Sequence, residues 1–208
     1  MNLYCYVIAV DAGTAPNYEP PLATLAICKP RIREGASVGD AILAFTGSAV
    51  SAEPHAVRWA GVIAEKLNFA EYWNDRRFGG KKSAASHNAD NIYAPRGDGY
   101  GFEQIKNRAH GSESKLRDLG GRYVLVLDPH WHFRGGAPIL PADYGYRMPL
   151  TARRGHRRHT LTPDAWRRLK TWLNAKKKEA RSVDYNREFR GGAPPAACRP
   201  MAKRGGKC

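Results

Sequence analysis

At 208 residues, with 42% hydrophobic and 10% aromatic content, the chain is long enough for one domain with a real core and too apolar to be wholly disordered. No apolar run approaches the ~20 residues that cross a bilayer, which excludes a transmembrane helix. The 34 basic and 19 acidic residues leave a net charge of +15, spread unevenly: residues 1–150 hold 17 basic against 15 acidic, a net of +2, and residues 151–208 hold 17 against 4, a net of +13. A near-neutral body with so basic a C-terminal third favours polyanionic partners, nucleic acid first among them.

The apolar opening, residues 1–10, lacks a basic leader and a cleavage site, so a signal peptide is not expected. Cys5, Cys28, Cys198 and Cys208 form no Cys-x-x-Cys pair, which argues against a zinc site or a disulfide framework. A cytoplasmic location follows as an expectation.

In chain order, aromatic and β-branched residues predict a first strand over 3–10. Glycine and prolines over 11–21 separate it from a second strand over 22–29. Pro30-Arg31-Ile32-Arg33 reads as an extended basic connector, with Lys29, Arg31 and Arg33 alternating along one edge. A short apolar strand over 41–45 follows, then a long one over 57–67 in which Gly61 marks a bulge or a close backbone approach. Residues 69–75 form a helical turn. Residues 76–114 are polar and aperiodic, and a stretch that long belongs in a compact domain only where it folds over a site. Residues 123–128 are a strand that continues or pairs across Pro129. The last element is a helix with Thr162 as N-cap, Pro163 at its first position and an apolar stripe of Trp166, Leu169 and Leu173. The fold class is α+β: a small, strongly bent mixed sheet or partly open β-barrel, with a C-terminal helix. One domain over 1–180 and a disordered basic tail over 181–208 complete the expected organisation.

Chemistry-bearing motifs are few. Gly97-Asp98-Gly99-Tyr100-Gly101 lacks the strand–loop–helix setting of a phosphate loop, and no P-loop Lys-Ser/Thr pair or His-Glu-x-x-His occurs. No cofactor is expected. Asp128, His130 and His132 share strand parity and form the one metal-like trio, but Pro129 interrupts it, so no metal is assigned. The candidate nucleophiles Cys28 and Ser48 have no base partner identifiable from spacing. A weak alternative brings Thr24, Lys29 and Glu65 together for an amidohydrolase-like reaction. Aromatics with amides and acids, at Glu71–Asp75 and Asn91–Tyr93, suit a base pocket or simply a capped sheet. Arg153, Arg154, Arg157 and Arg158, interleaved with His156 and His159, form the densest basic cluster and suit phosphate contact.

Taken together, Cys28-Lys29-Pro30-Arg31-Ile32-Arg33, Val38-Gly39-Asp40, Thr46-Gly47-Ser48, Glu71-Tyr72-Trp73, Asp90-Asn91-Ile92-Tyr93, Gln104, Asn107, His110 and Gly155-His156-Arg157 carry a resemblance. The order resembles the nucleotide modification associated domain 2 family over roughly residues 1–175. A looser pattern similarity links the Val-Gly-Asp turn and the Tyr-Trp helix to PUA-like modules such as ASCH, EVE and YTH domains. The first resemblance implies a role near modified DNA bases without saying whether the domain makes, reads or removes them. The leading expectation is a DNA-associated domain that engages a modified or flipped base. Ser48, Tyr72, Trp73, Asp90, Asn91, Tyr93 and His110 would form the pocket, and Lys29, Arg31, Arg33, Arg153, Arg154, Arg157 and Arg158 would hold phosphates. The alternative is a base-modifying enzyme or hydrolase with Cys28, Lys29 or His110 as its reactive group. A third reading is a subunit whose tail recruits DNA to a partner modification enzyme.

Overall fold

The computed structural model describes residues 1–9, 11–48, 50–51, 53–82, 84, 88–107, 110–133, 136–148 and 155–181. The tail beyond 181, Arg153 and Arg154 lie outside the described residues. The elements run β1 (Asn2–Ile8), β2 (Ala23–Leu25), α1 (Pro30–Gly35), β3 (Ala41–Thr46), β4 (Val57–Asn68), α2 (Phe69–Asn74), β5 (Tyr93–Pro95), β6 (Phe102–Gln104), α3 (Lys115–Leu119), β7 (Tyr123–His132), β8 (Arg157–Thr160) and α4 (Pro163–Arg181).

Six strands form a mixed sheet in the order β2-β7-β4-β3-β1-β8, with β1 and β3 parallel and the other pairs antiparallel. The fold is α+β, and the sheet is open rather than a closed barrel. Alternation on β1 sends Leu3 and Cys5 to one face and Tyr4, Tyr6 and Ile8 to the other. Both sets are buried. Leu169 and Leu173 of α4 seal the first face, and Ile32 and Ala36 from α1 and its C-cap join the second. A third cluster, Ile27, Phe69, Tyr72, Phe78, Ile92, Tyr93, Val124 and Val126, packs over the β7 end of the sheet.

Gly61 sits at a register shift between β4 and β7, where an added Cβ would lie 3.1 Å from Leu127 Cβ. Thr162 Oγ1 accepts from the Ala165 amide at 3.2 Å and caps α4 as expected. Three local expectations need correction. The connector at 30–33 is helical, because Pro30 occupies the first turn, where a missing N–H costs nothing. Arg31 and Arg33 therefore point apart: Arg31 is exposed and Arg33 fully buried. The second strand shrinks to Ala23–Leu25. The aperiodic 76–114 stretch contains a 3-10 turn at Arg76–Lys81, the β5–β6 hairpin and a 3-10 turn at Ser112–Ser114. Gly99 and Gly101, both at positive φ, serve the turn of that hairpin.

Candidate active site

At the end of the segment that follows β2 the chain turns sharply. Cys28 and Lys29 both adopt left-handed backbone, with φ of 60° and 44°. Non-glycine residues in that region cost of order 1–3 kcal/mol each and persist where surroundings hold them. Here the hold is visible. The Cys28 amide donates to Asp118 Oδ1 at 3.0 Å, and Arg33 Nε donates to the Cys28 carbonyl at 2.8 Å. The same guanidinium donates to the carbonyls of Asp118 and Tyr123. Arg33 thus spends a buried fork on three carbonyls, tying α1, α3 and β7 to the turn. Burial lowers its pKa to about 10, with the Asp118 charge opposing, so it stays protonated at neutral pH. Gly121 makes room for it: a Cβ there would fall 2.7 Å from the guanidinium carbon.

Two further groups complete the arrangement. Cys28 Sγ lies 3.1 Å from His110 Nε2, and His110 Nδ1 bonds Asp118 Oδ2. Tyr93 donates its hydroxyl to the same Oδ2 at 3.0 Å. Burial opposes charge on His110, but its hydrogen bonds to Asp118 and Cys28 outweigh that and raise it to about 9. Asp118 is pushed up by burial and pulled further down by His110, settling below the usual carboxylate range. At neutral pH the imidazolium therefore donates from both nitrogens, one to sulfur and one to carboxylate. His110 and Asp118 are buried, whereas Cys28 is partly exposed. The loop bearing the histidine is itself anchored: the His110 amide donates to Asn107 Oδ1 at 3.1 Å, and Gln104 Nε2 donates to the His110 carbonyl at 3.0 Å. Cys5, by contrast, is buried, and desolvation pushes its thiol well above its ordinary value.

Of the expected base pocket, Tyr72, Asp90, Asn91 and Tyr93 are buried together near β5, Ser48 is exposed elsewhere, and Trp73 is partly exposed with Lys82 Nζ 4.2 Å from its ring centroid. Tyr72 donates to Asp90 Oδ1 at 2.8 Å and packs on Phe78, while Phe69 meets Tyr93 edge-on. Asn91 Nδ2 donates to the Tyr72 carbonyl at 3.1 Å. Of the expected phosphate groups, Lys29 lies over Tyr6 and Arg158 opposite Tyr4 on one face of the sheet, Arg157 stands opposite Cys5 on the other, Arg31 is exposed on α1, and Arg33 is interior. Among the described residues no three His, Cys, Asp or Glu side chains gather as ligands; His132 stacks on Tyr18 instead, with centroids 3.4 Å apart. Thr24, Lys29 and Glu65 have separate partners: Asp90, the Tyr6 ring and Arg77. The base partner that spacing does not supply for Cys28 is His110, 82 positions on. Asp118 is the residue that sequence reasoning misses outright, hidden in the short polar helix α3, Lys-Leu-Arg-Asp-Leu.

Thiol, imidazole and carboxylate in hydrogen-bonded series are the parts of a nucleophile, a general base and its orienter, here mounted on an α+β sheet. The chain belongs to the nucleotide modification associated domain 2 family, which matches residues 1–190, and so to a nucleotide modification system. No curated protein and no solved structure matches it. No helix among the described residues is long and apolar enough to cross a membrane.

Proposed function

We propose that the chain is a thiol-dependent enzyme of a nucleotide modification system. Cys28 is the nucleophile, His110 the general acid–base, and Asp118 the residue that orients the imidazole. The observation that carries this reading is the continuous contact from a partly exposed sulfur through His110 to a buried carboxylate. A sulfur beside a charged imidazole is the setting in which cysteines act as nucleophiles. The chemistry it suits is transfer of an acyl-type group carried by a nucleotide. With the thiol proton given up to solvent, the Cys28 sulfur attacks the trigonal carbon, the S–C bond forms, the bond to the leaving group breaks, and Nε2–H protonates that group. The neutral imidazole then takes a proton from water or an amine, which attacks the thioester and frees the sulfur.

Iodoacetamide labelling at neutral pH, read peptide by peptide, tests the nucleophile in a Cys198→Ser/Cys208→Ser background. Cys28 should label while Cys5 stays protected, and His110→Gln should slow labelling by about tenfold or more. Labelling of Cys28 no faster than that of Cys5 overturns the proposal.

A second reading, recognition of a DNA base without chemistry, draws on Trp73, whose partly exposed indole offers a face for stacking. Base–aromatic stacking is worth about 1–3 kcal/mol, so Trp73→Ala should weaken binding of a base-modified oligonucleotide measurably on this reading. Equal affinity of both proteins for modified and plain strands removes it.

A further inference from the structure

The Cys28 turn borders a cationic shelf. Tyr4 and Tyr6 lie on the same face of β1. Lys29, next in the chain to Cys28, holds its ammonium 4.0 Å from the Tyr6 ring centroid. Arg158 of the edge strand β8 stands opposite Tyr4 in register, and directly opposed residues share a face. His156 packs its ring against Tyr4, with centroids 5.6 Å apart. The Tyr4 hydroxyl donates to the Gly35 carbonyl at 2.9 Å, which brings α1, and with it Arg31, onto the same face. The charges feel one another: burial and then Lys29, Arg31 and Arg158 hold His156 below its ordinary pKa.

Several other arginines among the described residues are already neutralised. Arg58, Arg77, Arg122, Arg167 and Arg168 each pair with a carboxylate. Arg31 and Arg158 are exposed and form no salt bridge among the described residues. Exposed like charges such as those of Arg31 and Arg158 repel one another in the free protein, and an anion relieves that repulsion.

We propose that this shelf is the phosphate-binding half of the Cys28 site, so that the substrate is a phosphate ester of a nucleoside whose base or base substituent reaches the sulfur. The proposal rests on the thiol reading for its second half only. The phosphate ester belongs either to a free nucleotide or to a nucleic-acid strand, and the experiment separates the two.

The full chain carrying Cys198→Ser and Cys208→Ser is titrated with a short fluorescein-labelled oligothymidylate by anisotropy, across a salt series. Arg31→Glu/Arg158→Glu is compared with Arg167→Glu/Lys170→Glu, a double reversal on α4. Arg31→Gln/Arg158→Gln serves as the milder shelf variant if the reversal fails to fold. Loss of two phosphate contacts should cost the shelf variant about tenfold or more in affinity and about 1.4 in the log–log salt slope, while the α4 variant changes less than about threefold. Thymidine, thymidine monophosphate and the unlabelled strand are then compared for protection of Cys28 against iodoacetamide. Protection by the monophosphate and not the nucleoside supports a free nucleotide; protection by the strand alone supports a polymer. Equal losses in both double variants overturn the shelf, as does thymidine protecting as well as its phosphate, or no protection by any of the three. Should the shelf variant lose binding while wild-type Cys28 proves inert, the shelf survives as a phosphate site and the thiol reading fails. Reactive Cys28 with unchanged binding by the shelf variant overturns the shelf and leaves the thiol reading standing.

Discussion

Asp90 and Asp118 are both fully buried, and each accepts a tyrosine hydroxyl, from Tyr72 and Tyr93 respectively. Yet burial raises Asp90 to about 6, whereas Asp118 falls below its ordinary value. The difference lies in the partners. Asp90 is held by hydroxyls of Thr24 and Tyr72, and the nearby Lys81 ammonium donates to Asn17. Asp118 bonds an imidazolium directly and takes the Cys28 amide besides. One carboxylate closes a core joint; the other is stabilised as an anion beside a sulfur that solvent reaches. Electrostatic partnership, more than depth of burial, decides which of the two is held as an anion.

The sharpest way to break this contrast is to remove the scaffold on the Asp118 side. Arg33→Ala leaves three carbonyls without their donor and opens a cavity, so it should cost roughly 3–5 kcal/mol in urea unfolding. A loss under about 1 kcal/mol would mean the turn at Cys28 holds itself. Asp118→Asn comes next. His110 is raised to about 9 when folded against about 6.5 unfolded, so its charge stabilises the native state fully below pH 6.5 and ever less as pH rises to 9. In the asparagine variant that decline across pH 6.5 to 9 should shrink, with the part due to Cys28 remaining, and stability at neutral pH should drop by about 2 kcal/mol. Asp90 has the opposite sign. Its folded pKa exceeds the unfolded one, so the native state binds the extra proton and loses stability as pH rises from about 4 to about 6. Asp90→Asn should flatten that limb in pH-resolved urea unfolding and leave the alkaline one intact. Tyr93→Phe deletes one hydrogen bond to Asp118 and should cost about 1 kcal/mol, with the Cys28 labelling rate within about threefold of wild type.

Much of this fold is legible in the residues. The β-branched and aromatic runs give β1, β3, β4 and β7, and Thr162-Pro163 with its apolar stripe gives α4. Pro30 misleads because the rule that proline extends the residue before it says nothing of a helix starting at proline itself. The site is legible only in pieces. Cys28 and His110 stand out in the family pattern, but their meeting depends on an aperiodic loop folding back across 82 positions, and no local period encodes such a closure. Asp118 carries no signal of its own in a short charged helix, since burial there is set by Arg33 and Tyr93 arriving from elsewhere. Tyr72 and Tyr93 stand out in the sequence for their rings, whereas in the folded chain their hydroxyls make the telling contacts, one to each aspartate.

The coupling of thiol, imidazole and carboxylate is tested most directly by an NMR titration of the His110 ring nitrogens. The account predicts a midpoint near 9 in the wild-type chain, lowered in Asp118→Asn and lowered again in Cys28→Ala. A midpoint near 6.5 that neither substitution moves would contradict it.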